Sequence, residues 1–292
     1  MRPMHPFVLY NNRIVAADEA IFNPGQIGLL CGWGVFSTLK IHQGVPFALE
    51  RHWARLTRDA ELIHVELPVD IETVRHGFDE LLTRNQAREA TARICIFRSR
   101  GGRWEGASPA PVSDWVILTD DLAPWPGSVA LQVRENGRHA ASPFVGAKTL
   151  SWSTNLTMYE DATKAGFGEV ILLNERGEVT ECTSANIFGV IDGVTYTPPL
   201  SSGLLPGVTR EVMLSALPPE LRVQERVLSV EDLCGSQEVF ITSSTRELLA
   251  VDRIEDKKLD AAEKNLWPRM DQLRTGLREY MRRYTDAQLA SK

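Results

Sequence analysis

The stretch GEVILLNERGEVTECTSANIFGV, residues 168–190, sets an acid inside a run of strand-forming residues. Glu181 stands among Val, Thr, Cys, Ile and Phe, with turn pairs at Arg176-Gly177 and, just beyond the stretch, Asp192-Gly193. The pattern is that of a β-meander. By strand alternation Val179, Glu181 and Thr183 share one face, and Thr180 and Cys182 the other. On alternation alone, Glu181 reads as a solvent-facing strand glutamate. The alternative is a buried acid, which needs a partner, and a protonated ring nitrogen is one.

Upstream, FVGAKTLSWSTNLTMYEDA (144–162) carries Lys148 after small residues, ahead of a helical pattern from about Thr149 to Lys164. Most lysines are solvated surface charges, and the neighbours of this one do not decide between that and a binding role. Downstream, LLPGVTREV (204–212) is a Pro-Gly turn that opens a helix. The N–H groups of Val208 and Thr209 fall in its first turn, where unpaired donors and the helix dipole attract a phosphate. Many helices start this way and bind nothing. ITSSTRE (241–247) is a hydroxyl-rich turn after a strand, suited to donating to an anion or simply to capping a helix. Arg55, in ERHWARL, lies between Trp53 and Leu56 of an apolar helix stripe. It is either solvated or a phosphate ligand reaching inward.

The chain around these pieces has 292 residues, 43% hydrophobic and 24% charged, as in soluble globular proteins with room for two domains. A net charge of −6 and a pI near 5.6 leave no footprint for nucleic acid or an anionic membrane surface. No apolar run approaches the ~20 residues of a membrane span, and MRPMHPFVLYNN lacks the long apolar stretch of a signal peptide. Cys31, Cys95, Cys182 and Cys234 are scattered without a C-x-x-C pair, which argues against structural zinc and disulfides and for a reducing cytoplasm. The six histidines form no H-x-x-x-H pair, so no metal site is expected.

The pattern along the chain is mixed α and β. FVLYNNRIVA reads as a hairpin turning at Asn11-Asn12, and GVFSTLKIHQGVPFA as two strands around Gly44. Leu49, Trp53, Leu56, Ala60 and Ile63 mark one face of a helix, and Ile71, Val74, Phe78 and Leu81 a second. ARICIF, DWVILTD, VALQV and EVFIT read as strands, and Leu266, Met270, Leu273, Leu277 and Tyr280 mark a long last helix. DDLAPWPG, with two prolines and a glycine, reads as a linker. The expectation is an α+β chain of two domains: 1–120, a linker at 121–127, and 128–292.

A phosphate seat, a lysine beyond a strand and an acid in a later strand are what pyridoxal 5′-phosphate requires: an amine for its aldehyde, an acid for its ring nitrogen, donors for its phosphate. The chain also resembles the class-IV aminotransferases, the fold-type-IV pyridoxal-phosphate enzymes. These include branched-chain, D-amino-acid and (R)-amine transaminases and aminodeoxychorismate lyase. The resemblance runs through GLLCGWGVFSTLKI, ERHWARL, RSRGGR, AKTLSW, residues 168–190, LLPGVTRE and EVFITSSTRELLAV. It implies a small N-terminal α/β domain, a larger C-terminal domain with a β-barrel-like core, and the cofactor between them. Lys148, 33 residues before Glu181, matches the Schiff-base lysine, and Glu181 the partner of the pyridine nitrogen. Arg55 matches the phosphate arginine. Val208, Thr209 and Ser244 match the other phosphate donors, and Asn186 a further cofactor-site residue. The resemblance also implies a homodimer.

The same family likeness places substrate against Phe36, Thr38 and Lys40, alternate residues of GVFSTLKI, and against Arg103 and Thr245. Arg103 is either a carboxylate ligand or a loop arginine in water. Thr38 and Arg103 resemble the lyase, and RSRGGR also the D-amino-acid branch. Trp152 resembles the (R)-amine transaminases, and Trp33 replaces an acid common in the family. The expected activity is transfer of an amino group between an amino donor, a D-amino acid or (R)-amine before a branched-chain one, and a 2-keto acid. The alternative is a lyase releasing pyruvate and 4-aminobenzoate from aminodeoxychorismate.

Overall fold

The computed structural model describes residues 4–104 and 111–291. Contacts divide the chain into two compact units. One holds the residues up to Ala123 with Ala147–Trp152 and Tyr284–Lys292, the other Pro124–Gly146 and Ser153–Arg283. A single cut at 121–127 therefore leaves out two segments that pack with the first unit.

The first unit opens with a hairpin, β1 (Phe7–Tyr10) and β2 (Arg13–Ala16). Its turn residues Asn11 and Asn12 have φ of 46° and 64°, a left-handed conformation that asparagine tolerates. α1 (Ile27–Cys31), β3 (Gly34–His42), β4 (Val45–Pro46), α2 (Leu49–Leu62), α3 (Ile71–Asn85), β5 (Ala90–Arg98) and β6 (Ser113–Asp121) follow. The six strands form one antiparallel sheet in the order β2-β1-β6-β5-β3-β4. β3 shows the two-residue period. Val35, Leu39 and Ile41 enter the core with Leu56 of α2 and Phe78 of α3. Phe36 joins Cys95, Val116, Leu150 and Trp152 in a separate cluster.

Two expectations are corrected here. The helix expected from about Thr149 starts at Ser153 (α4, Ser153–Lys164). Residues 148–150 are instead extended along β3: Thr149 bridges Val35, Phe36 N–H donates to Lys148 O at 3.0 Å, and Leu150 N–H donates to Gly34 O at 2.8 Å. The buried face of α2 is also wider than the expected stripe. It includes His52, Arg55 and Asp59, while Trp53 and Ile63 are only half-buried. The tail segment joins the first unit through Tyr284, whose hydroxyl accepts from Leu49 N–H at 3.2 Å and donates to Glu50 at 2.6 Å.

The second unit contains β7 (Ser128–Arg134), α4, β8 (Glu169–Leu173), β9 (Val179–Cys182), β10 (Asn186–Ile191) and β11 (Val194–Thr197). After these come α5 (Val208–Ser215), β12 (Val223–Glu225), α6 (Val230–Cys234), β13 (Glu238–Ser243), β14 (Glu247–Ile254), β15 (Lys257–Lys258), α7 (Asp260–Lys264) and α8 (Pro268–Ala290). Residues of α8 from Tyr284 onward group with the first unit. The meander expected over residues 169–197 is two hairpins, β8–β9 and β10–β11, because β10 takes β13 rather than β9 as its other partner. The sheet order is β12-β11-β10-β13-β14-β7-β8-β9, with β15 on β14.

This order forces curvature. β9 and β10 stand five places apart in the sheet, roughly 24 Å if it were flat at ~4.8 Å per strand. Only residues 183–185 join them, a reach of at most about 15 Å. The sheet must curl into a half-barrel, and its core is Leu131, Ile171, Val179, Ile187, Ile241 and Val251. Among the described residues no helix is long and apolar enough to cross a membrane.

Candidate active site

In the first unit, Lys148 is held by its backbone. Its N–H donates to Asp59 Oδ2 at 3.0 Å and its carbonyl accepts from Phe36. The side chain runs to an aromatic corner, with Nζ 4.5 Å from the ring centroids of both Phe36 and Trp152. Those rings meet edge to face at 5.5 Å, so the amine lies against π faces. The other alternate residues of β3, Thr38 and Lys40, are half-buried. Thr38 Oγ1 accepts from Arg93 Nε at 3.3 Å, and the Arg93 guanidinium carbon lies 4.8 Å from the Phe36 ring centroid.

Arg55 sits on the buried face of α2, three residues after His52 and four before Asp59, and only 8% exposed. Its Nη2 donates to Ser37 Oγ at 2.9 Å, and Ser37 Oγ is 2.8 Å from His52 Nδ1. His52 is fully enclosed. Burial first, then the charges of Arg55 and Lys148, push its pKa well below the ordinary histidine value, so the imidazole is neutral. Asp59, also buried, pairs with Arg58. Arg103 is an exposed turn residue, its guanidinium 5.6 Å from the Trp104 ring centroid.

In the second unit, Glu181 is not the solvent-facing strand residue that alternation favours. It is 5% exposed, because both faces of β9 are covered. Each carboxylate oxygen has a donor: Arg138 Nε to Oε1 at 3.0 Å and Leu205 N–H to Oε2 at 3.1 Å. Arg138 also reaches Asn155 Oδ1 at 3.4 Å, and Asn155 donates to Thr183 O at 2.6 Å. Asn186 Nδ2 donates to Leu205 O at 2.9 Å. Leu205 is thus gripped at its N–H by Glu181 and at its carbonyl by Asn186, which fixes the loop leading into α5. Val208 and Thr209 are the buried first residues of that helix. Their N–H groups have no intrahelical acceptor, and no side chain caps the helix among the described residues. Such an end attracts an anion. Ser244 and Thr245 lie half-buried in the β13–β14 turn. Arg246 anchors that turn, pairing with buried Glu169 at 3.3 Å and donating to Ser184 Oγ at 2.9 Å.

Gly207 carries a testable consequence. Its φ of −67° suits any residue, but a Cβ there collides with Asn186 Oδ1. Gly207→Ala is expected to cost about 1–3 kcal/mol of stability, measured by urea unfolding. An unchanged midpoint would show that the loop yields freely.

Sequence reasoning passed over Ser37, His52, Asp59, Arg138 and Asn155. A signal was present for two: His52 and Asp59 stand three before and four after Arg55, the spacing of one helix face. Nothing local marks Arg138, which meets Glu181 from 43 residues away. No group of three or more histidine, cysteine or acidic side chains suited to a metal occurs among the described residues.

The profile of the family described as amino-transferase class IV matches residues 34–254. A putative branched-chain-amino-acid aminotransferase of Methanocaldococcus jannaschii is 29% identical, over 87% of this chain and 89% of its own. D-alanine aminotransferase of Bacillus licheniformis is 26% identical, over 86% and 89%. Aminodeoxychorismate lyase of Bacillus subtilis is 27% identical, over 85% and 87%. Among solved structures, the branched-chain amino acid aminotransferase of Escherichia coli superposes with a TM-score of 0.84 over 95% of each chain at 24% identity, so the fold is shared.

Proposed function

The chain belongs to the class-IV amino-transferase family, and on that premise we propose that it is a transaminase moving an amino group between an amino acid and a 2-keto acid. Its cofactor is pyridoxal 5′-phosphate, which when bound supplies the electron sink that lets the Cα–H bond of the amino substrate break. The residues fit that group. A primary amine stands in an aromatic corner, a buried carboxylate has both oxygens fixed, and a helix opens with unspent N–H groups. In this reading Lys148 would hold the cofactor covalently, and its amine would move the proton at the substrate Cα as general base. Glu181 receives the ring nitrogen, its direction set by Arg138 and Leu205. Arg55, the N–H groups of Val208 and Thr209, and the Ser244 hydroxyl bind the phosphate. Asn186 keeps the Leu205 loop in register with that seat.

Phe36, Thr38, Lys40, Arg103 and Thr245 are proposed to meet the substrate. The observation that carries transamination over the lyase reaction is the Phe36–Trp152 corner around Lys148 Nζ. It suits an apolar side chain better than the polar ring of aminodeoxychorismate. The tilt within transamination is towards D-amino acids or (R)-amines. The lyase remains the second reading, favoured by Thr38 and by the Bacillus subtilis relative. A substrate screen separates the two: ping-pong exchange between amino and keto acids supports the transaminase, and acceptor-independent pyruvate release from aminodeoxychorismate overturns it. Arg103→Ala is expected to raise KM for amino acids by about 1.5–3 kcal/mol equivalent and to spare an amine without a carboxylate. Equal losses for both would show that Arg103 does not bind the carboxylate. The family likeness also carries a homodimer, and the scattered cysteines a reducing cytoplasm; a monodisperse active monomer on light scattering would refute the dimer.

A further inference from the structure

We propose that Ser37 and His52 are positioning residues that hold the Arg55 guanidinium in place to receive the cofactor phosphate. The inference rests on the reading of Arg55 as a phosphate ligand. An arginine on a long stem keeps many rotamers unless neighbours remove them, and ordering it on binding weakens affinity. Here the ordering is built into the apoprotein. Ser37 is fully buried on β3 and His52 is 1% exposed on α2. Arg55 Nη2 donates to Ser37 Oγ at 2.9 Å. Guanidinium nitrogens only donate, so the hydroxyl oxygen accepts and keeps its own proton to give. In the neutral tautomer that carries its proton on Nε2, His52 Nδ1, 2.8 Å away, accepts the hydroxyl proton. The imidazole thus aims the hydroxyl, and the hydroxyl's lone pair aims the guanidinium. A charged imidazole would have no lone pair at Nδ1 and would break the relay. Enclosure between strand and helix, beside two cations, keeps the ring neutral. The Ser37 side chain carries no charge, so this contact steers Arg55 without itself neutralising the guanidinium.

The test measures equilibrium binding to apoprotein of two probes, pyridoxal 5′-phosphate and unphosphorylated pyridoxal. Ser37→Ala and His52→Leu are expected to raise Kd for the phosphorylated probe about tenfold, the scale of a hydrogen bond to a charged group. Kd for pyridoxal should stay within about twofold of the unaltered protein. His52→Asn, whose side-chain oxygen can stand near the Nδ1 position, should restore most of the affinity. Arg55→Gln should show a larger loss confined to the phosphorylated probe, and adding Ser37→Ala to it should change little. If Arg55→Gln weakens both probes equally or neither, the phosphate reading of Arg55 fails and the proposal with it. If Arg55→Gln is selective but Ser37→Ala weakens both probes alike, or neither, the positioning role is overturned and the Arg55 reading stands. Ser37→Ala deletes a single oxygen, so it keeps the proposal testable even where His52→Leu unfolds the helix.

Discussion

Replacing Lys148 with alanine is expected to remove the visible absorbance of the bound cofactor and nearly all turnover, while leaving the fold intact. Loss of the general base alone removes about 10²–10⁴-fold in rate, and loss of the covalent hold adds to it. The fold should survive because the bonds that fix this segment are main-chain bonds. The residue-148 N–H still reaches Asp59, and its carbonyl still receives the Phe36 N–H. Among the lysine's side-chain contacts, alanine loses the one with Phe36 and Trp152, a term of roughly 0.5–2 kcal/mol. The melting temperature should therefore move by a few degrees at most while activity collapses. A variant that keeps both the absorbance and the turnover would remove Lys148 from the chemistry.

The second large effect is expected at Glu181. Glu181→Gln keeps the size of the side chain and one oxygen for Arg138, so the cofactor should still bind. A neutral amide cannot keep the ring nitrogen charged, and proton removal from Cα should slow by about 10²–10³-fold, the scale of one lost electrostatic partner in a closed site. There is a stability cost as well. An amide nitrogen replaces the oxygen that accepts from Leu205 N–H, and a buried donor left without an acceptor costs about 1–3 kcal/mol. The two effects separate experimentally, since thermal unfolding of apoprotein reads the second and single-turnover absorbance change reads the first. Rates close to those of the unaltered protein would contradict the assigned role.

What was legible beforehand follows from the range of the interactions. The β1–β2 hairpin was readable because Asn11 and Asn12 are themselves the turn. α3 was readable because its apolar residues repeat on one face and Asp70 caps it, accepting from Thr73 N–H at 2.8 Å. The start of α4 was misplaced because residues 148–150 carry helix-compatible side chains, yet their main chain is claimed by β3, more than a hundred residues earlier. The β10–β13 pairing was invisible for the same reason: two adjacent hairpins look like one meander until β13 and β14, from some fifty residues later, and β7, from earlier in the chain, stand between them. β14 went unread because its apolar run is short and follows a turn motif.

The site divides in the same way. Lys148 and Glu181 were singled out by chemical convergence and family likeness, since nothing in the local pattern around Lys148 separates it from a surface lysine. Alternation favoured exposure for Glu181, and it failed because alternation assumes one wet face. β9 has none, so its acid is buried and takes Arg138 and Leu205 as partners. Arg55 was read against an apolar stripe. In the folded chain the stripe and a buried polar row, His52, Arg55 and Asp59, share the helix, and Ser37, Arg58 and the Lys148 N–H answer that row.

The measurement that tests the account most directly is chemical. The protein, purified with its cofactor, is reduced with borohydride, digested with trypsin and mapped by mass spectrometry. The account predicts one phosphopyridoxyl group, carried on Lys148 within the peptide running from His139 to Lys164, with cleavage after Lys148 blocked. A label on any other lysine, or none on a protein that is yellow and active, would contradict it.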